Sequence, residues 1–169
     1  IIVVLNPGGN FLPKRWDKEK FILLGKALVK EYEAKLFVVG GEKEKELARE
    51  IKEGIGDERV INLGGKTTLS ELAALLEKSD LMVTNDTGPM HLASAVDCPV
   101  VAIFGPSNPY RYGPIGTKNQ VVHSNIECFP CRTAAKCKKN FKCMKDIGVK
   151  QVLEASRLIL DEGKQLFLF

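Results

Sequence analysis

Residues 81–95 read L-M-V-T-N-D-T-G-P-M-H-L-A-S-A: an apolar run that halts on four polar or small residues and restarts behind a proline. Leu81–Thr84 has the character of a strand buried on both faces, and Pro89–Val96 that of a short helix. Proline is favoured at the first helical position, where its missing N–H costs nothing. Gly88 is then expected as the N-cap, with the N–H groups of Gly88, Met90 and His91 directed out of the helix start. Free donors at the positive end of a helix dipole suit an anion. Thr87 adds a hydroxyl, and His91 sits one turn in on the same side. Asp86 would repel a phosphate, so backbone N–H groups or sugar hydroxyls are its better partners. An ordinary capped helix with an incidental histidine explains the same letters.

The same alternation runs outward in both directions. Ile1–Leu5, Lys35–Val39, Arg59–Leu63 and Val100–Phe104 read as short buried strands, and Gln120–His123 as a last one. Lys18–Tyr32, Lys43–Glu53, Ser70–Lys78 and Gly148–Leu160 carry apolar residues at helical spacing. Thr67 or Thr68 is expected to cap the third of these helices, with Glu71 in capping-box position from Thr68. Strands alternating with helices over short connections predict an α/β fold, a parallel sheet covered by helices on both faces. Ligands in such sheets bind beyond the carboxyl ends of the strands. That edge collects the loops at Asn6–Trp16, Gly40–Glu44, Gly64–Thr68 and Asn85–His91.

Bulk properties agree with this class. The chain has 169 residues, 44% hydrophobic and 27% charged, enough for one domain with its own core. The net charge of +4 suits an anionic small ligand or a membrane surface and falls short of a nucleic-acid binder's signature. No apolar run approaches the ~20 residues of a membrane span. The chain opens on IIVVLNPGG without Met or a charged leader, so a missing upstream segment is expected. Scarce glutamine beside abundant Lys and Glu points weakly to a thermophilic source. Late-clustered cysteines without a secretory signal point to the cytosol.

The remaining loops are less specific. N-P-G-G-N-F-L-P-K-R-W at 6–16 matches neither G-x-x-x-x-G-K-[ST] nor G-x-G-x-x-G. Gly8 and Gly9 permit a tight turn and close approach of a ligand, and Lys14 and Arg15 bring positive charge, unless they are simply a solvated pair. Trp16 is expected to pack on the following helix. Glu42 and Glu44 stand just past the second strand, where nucleotide-binding folds hold ribose hydroxyls. Complementing a helix dipole would account for them equally. Cys128, Cys131, Cys137 and Cys143 spell C-x2-C-x5-C-x5-C, open to a structural zinc ion, disulfides or free thiols. Arg132, Lys136, Lys138, Lys139, Lys142 and Lys145 make that segment basic, as a solvated surface or as a patch facing phosphorylated or membrane-bound substrate.

Together these motifs resemble the C-terminal half of the bacterial heptosyltransferases, glycosyltransferase family 9. The resemblance is carried by N-P-G-G-N…K-R-W (6–16), F-V-V-G-G-E (37–42), N-L-G-G-K-T-T-L-S-E-L (62–72), V-T-N-D-T-G-P-M-H-L-A-S-A (83–95) and C-P-V-V-A-I-F-G-P-S-N-P (98–109). C-F-P-C…C…C-M at 128–144 agrees with the type II group. The resemblance implies the C-terminal, Rossmann-like half of a GT-B architecture, with an N-terminal acceptor domain absent from this chain. It implies an ADP-heptose donor and a lipid A–Kdo or heptosylated lipopolysaccharide acceptor, without a required cofactor, at the cytoplasmic face of the inner membrane. Asp86, Thr87, Gly88, Met90 and His91 would hold the sugar and diphosphate, and Gly8 and Gly9 would border them. Lys14 would neutralise charge on the ADP leaving group. Glu44, or Glu42 in another register, would meet the ribose, and Thr67 the adenine pocket. The general base would come from the missing domain, leaving this chain able to bind but not to transfer. Competing readings are a UDP-linked donor in another GT-B transferase or an epimerase, and more distantly a metal- and nucleic-acid-binding module.

Overall fold

The computed structural model describes residues 1–131 and 137–165, with side chains to residue 162. Arg132 and Lys136 of the basic segment lie outside the described residues. A six-stranded parallel sheet forms from β1 (Ile2–Asn6), β2 (Lys35–Val38), β3 (Val60–Asn62), β4 (Leu81–Asn85), β5 (Val100–Phe104) and β6 (Gln120–His123), in the order β3-β2-β1-β4-β5-β6. This is the doubly wound order of dinucleotide-binding sheets, whose direction of winding reverses between β1 and β4.

The period-two geometry of a strand divides the apolar runs between two cores. Val3, Leu5, Leu36, Val38, Leu81, Val83, Val101 and Ile103 face one layer. It is built from α1 (Lys18–Tyr32), α2 (Lys45–Ile55) and α7 (Val149–Gln165), which deliver Phe21, Leu24, Leu28, Ile51 and Val152. Val4, Met82, Val100, Ala102 and Phe104 face the other layer. There α3 (Leu69–Glu77) contributes Leu72 and Leu76, and α4 (Gly88–Ala95) contributes Met90 and Ala93. Burial on both faces explains why these strands show no polar alternation. Trp16 closes the first layer, 2% exposed, edge-on to Phe21 at 5.1 Å. This is the packing expected of it. Short helices α5 (Pro109–Tyr112) and α6 (Lys142–Lys145) were not legible from periodicity, because four residues span barely one turn. Among the described residues no helix is long and apolar enough to cross a membrane.

Helix starts differ from expectation in instructive ways. The helix expected over Lys43–Glu53 begins as a 3₁₀ turn at Glu42–Glu44 before becoming α2, and it ends at Gly56 with φ 72°. Of the two threonines offered as cap for α3, Thr68 is used. Its hydroxyl accepts from Glu71 N–H at 3.2 Å, and the Glu71 carboxylate accepts from Thr68 N–H at 2.8 Å. At α4 the N-cap is Thr87 (φ −149°, ψ 168°), and Gly88 is already helical. The expectation of Gly88 as N-cap is thereby corrected by one residue.

The winding reversal is stitched by one side chain. Asn85, at the end of β4 and fully buried, donates from Nδ2 to the carbonyls of Pro7 (2.8 Å) and Gly8 (3.0 Å). Its Oδ1 accepts from Trp16 N–H at 3.0 Å. Asn6, at the end of β1, answers from the other side, its Nδ2 donating to the hydroxyls of Thr84 (2.8 Å) and Thr87 (2.9 Å). Two parallel strands diverge here, and their loops have no ladder to satisfy their backbone groups, so buried amide side chains do so.

Thr68→Ala removes half of the capping box and is expected to cost about 1 kcal/mol in urea unfolding. Asn85→Ala orphans two carbonyls and an N–H inside the protein, and a loss of about 3 kcal/mol is expected by the same measurement. A loss below about 1 kcal/mol there would show that the amide does not hold the loop.

Candidate functional site

A cleft of about 350 Å³ opens at the carboxyl ends of β1, β2 and β4. One end is apolar: Val39, Leu69 and Leu72 line it beside Thr67. Leu69 is 74% exposed although it begins α3. The middle is bounded by Gly8, Gly9, Gly40, Gly41 and Glu44, and the far end by Asn6, Thr87, Gly88 and Pro89 at the start of α4. The cleft thus runs from an apolar wall, past a carboxylate, to a helix N-terminus. Gly88 stands at N1, where its N–H lies outside the helix's own ladder, and a Cβ built on it would meet no atom within 4 Å. The N–H of Met90 donates to the Thr87 carbonyl at 3.2 Å.

Gly8, expected with Gly9 to permit close approach of a ligand, also leaves room for a side chain of the protein, as does Gly40. A Cβ on Gly8 would lie 2.8 Å from Glu44 Cγ, and one on Gly40 2.6 Å from Glu44 Cβ. The glutamate stem fills the space these residues leave vacant. Its carboxylate accepts from Gly41 N–H at 3.1 Å and pairs with Arg15 at 2.9 Å, with its side chain 12% exposed. Glu42 instead points outward, its side chain 73% exposed and paired with Lys45. Of the two acidic candidates, Glu44 is the one brought to the cleft.

Lys14 ends a 3₁₀ turn at Leu12–Lys14 and Arg15 follows it, and the two side chains reach in different directions. Lys14 Nζ donates to Asp86 at 2.6 Å, and the Asp86 side chain is 8% exposed. Arg15 Nε donates to the Gly9 carbonyl at 2.7 Å while its terminal nitrogen holds Glu44. They are structural clasps and not a solvated pair. The Thr87 hydroxyl accepts from Asn6 at 2.9 Å and donates to the Asn85 carbonyl at 3.3 Å.

The proposed residues therefore fall into three groups. Gly8, Gly9, Glu44, Thr67, Thr87 and Gly88 line the cleft. Lys14 and Asp86 form an ion pair beside it through the loops that carry Gly9 and Gly88. The third group lies outside the lining: Met90 is buried in the second core, His91 is exposed on α4, and Glu42 points outward. Sequence reasoning missed Asn6 and Asn85. The available signal was an asparagine closing each of two otherwise apolar runs, IIVVLN and LMVTN.

The late cysteines converge elsewhere. Cys128, Cys131, Cys137 and Cys143 all border a cavity of about 10 Å³ together with Phe129 and Phe141. None is in a disulfide, and among the described residues no three His, Cys, Asp or Glu side chains are placed to hold a metal ion. Burial pushes the Cys143 thiol upward and the Cys98 thiol up to about 12, so both favour the protonated form. His123 stacks on Phe129 at 4.3 Å.

Comparison with known proteins agrees with this geometry. The family model of glycosyltransferase family 9 (heptosyltransferase) matches residues 1–142. Lipooligosaccharide heptosyltransferase 2 of Campylobacter jejuni is 35% identical over 163 residues, which are 94% of this chain and 51% of that protein. Lipopolysaccharide heptosyltransferase 2 of Salmonella typhimurium is 34% identical over 161 residues, 92% of this chain and 46% of the relative. The solved structure of E. coli ADP-heptose lipopolysaccharide heptosyltransferase II superposes with a TM-score of 0.82 at 28% identity, over 96% of this chain and 47% of that one. The iron-containing dodecameric glycosyltransferase TibC of enterotoxigenic E. coli, 18% identical with a TM-score of 0.70 over 95% of this chain and 46% of that one, shares the fold alone. The chain spans about half the length of the curated relatives it matches. It belongs to glycosyltransferase family 9, the heptosyltransferases.

Proposed function

We propose that this chain is the donor-binding domain of an inverting heptosyltransferase, the C-terminal half of a GT-B enzyme acting with an N-terminal acceptor domain. The observation that carries the reading is the order of groups along the cleft, which is the order of groups along a nucleoside diphosphate sugar. The apolar wall of Val39, Leu69 and Leu72 beside Thr67 suits a flat base, and Glu44 suits ribose hydroxyls. The start of α4 suits a diphosphate, because the Gly88 N–H, outside the helix ladder, and the helix dipole both favour negative charge there. Asp86 lies beyond it, where a carboxylate grips the hydroxyls of the transferred sugar.

In this reading the leaving diphosphate gains charge as the glycosidic bond breaks, and the Gly88 N–H with Lys14 stabilises it without proton transfer. Lys14 is held for that task by Asp86, 2.6 Å away. The pair keeps the corner neutral before the donor arrives, and the diphosphate then supplies Lys14 with a second anion. His91, on the exposed side of α4, borders the sugar. The base that deprotonates the acceptor hydroxyl belongs to the other domain, opposite the leaving group. The acceptor is a lipid A–Kdo or heptosylated lipopolysaccharide core at the cytoplasmic face of the inner membrane, where Lys138, Lys139, Lys142 and Lys145 add attraction to anionic headgroups. The transfer draws on no cofactor, and the late thiols enter only as a structural cluster.

Thermal shift tests the donor class. Saturation with ADP at about 100 Kd is expected to stabilise the chain by about 2.7 kcal/mol, whereas UDP leaves the melting point unmoved. Gly88→Val should abolish the ADP effect while changing the melting point of the free protein little, since its side chain enters open space. Stabilisation by UDP alone, or ADP binding that survives Gly88→Val, would contradict the assignment.

A further inference from the structure

Arg15 spans two loops that belong to different strands. Its Nε holds the Gly9 carbonyl at 2.7 Å in the loop after β1, and its terminal nitrogen holds Glu44 Oε1 at 2.9 Å in the turn after β2. The other Glu44 oxygen accepts from Gly41 N–H at 3.1 Å. Both oxygens are thus anchored from the protein side, and each retains lone-pair capacity for a further donor. The glutamate stem lies in the space left by Gly8 and Gly40, so the carboxylate has little freedom except rotation about its own end. Arg15 and the Gly41 N–H together stop that rotation, and of the two only Arg15 does so through a side chain.

We infer that Arg15 is a positioning residue for ribose recognition: it fixes the Glu44 carboxylate in one orientation to accept from the 2′- and 3′-hydroxyls of the nucleotide. The inference rests on the proposed donor reading and adds a residue to it. Arg15 does not line the cleft; it acts through Glu44. Two physical reasons support the assignment. A carboxylate only 12% exposed needs partners for its oxygens, and Arg15 on one and the Gly41 N–H on the other supply them from the protein side. A guanidinium also fixes direction, because its rigid planar fork serves the Gly9 carbonyl and the carboxylate together, which a single ammonium group does not reproduce. Arg15 and Lys14, adjacent in sequence, thereby divide the donor between them: one orders the ribose end and the other the phosphate end.

The test compares ADP with 2′,3′-dideoxy-ADP by isothermal titration calorimetry on the whole chain, in wild type, Arg15→Gln and Arg15→Lys. Hydrogen bonds from hydroxyls to a charged group lead to an expected preference for ADP of about tenfold in wild type. Arg15→Gln should bring the two ligands to within about twofold of each other while leaving the dideoxy affinity near its wild-type value. Arg15→Lys, which keeps the charge without the fork, should retain a preference of about threefold and guards against a glutamine variant that fails to fold. An Arg15→Gln protein that keeps the tenfold preference overturns the inference. So does one that weakens both ligands equally, since that is the mark of a merely structural brace. A wild-type chain that binds ADP without distinguishing it from the dideoxy form overturns the inference while leaving the nucleotide-binding reading in place. A wild-type chain that binds neither overturns both.

Discussion

The buried amide of Asn85 is the point on which the site depends. It bonds the Pro7 and Gly8 carbonyls and the Trp16 N–H, so both ends of the Pro7–Trp16 loop are tied to the end of β4. Between those ties lie Gly9, which lines the cleft, and Lys14 and Arg15, which clasp Asp86 and Glu44. A loop of this length without secondary-structure partners would otherwise sample many conformations, at an entropic cost of order 1 kcal/mol for each residue later fixed. One side chain and the buried Trp16 settle that cost during folding and spare the binding step.

Around that anchor the site is built from compensated charges. Lys14 and Asp86 neutralise one another, as do Arg15 and Glu44, and each pair joins loops that are distant in sequence. Partial burial makes such pairs more directional than surface ion pairs, whose net contribution is about 0–1 kcal/mol. Their value here is geometric. In the proposed donor reading each acidic group serves as an acceptor for hydroxyls, and the start of α4, where the Gly88 N–H lies outside the helix ladder, serves the anion.

The glycine-rich loops show how composition can point to a site for an incomplete reason. Gly8, Gly40 and Gly41 surround a side chain of the protein itself, and Gly88 alone faces open space. Glycine at the first positions lets Glu44 reach the cleft from below, and glycine at the last leaves the helix start bare. The same residue type serves internal packing in one loop and ligand access in the next, and only the neighbouring atoms distinguish the two.

The sequence by itself determined the α/β class, the parallel sheet with helices on both faces and the edge on which the site lies. Period and burial are local properties, and IIVVL, KLFV, LMVT and VVAIF each carry them within a few residues. The capping box at Thr68 and Glu71 and the packing of Trp16 were legible for the same reason. Tertiary structure decided the rest. The choice of Glu44 over Glu42 rests on Arg15, 29 positions away, and the partner of Lys14 is 72 positions away. Thr87 replaces Gly88 as N-cap because its extended backbone and its hydroxyl are taken up by the Asn6 network, 81 positions back in the chain. No local pattern encodes contacts of that span; they exist because parallel strands β1, β2 and β4 bring their carboxyl ends together.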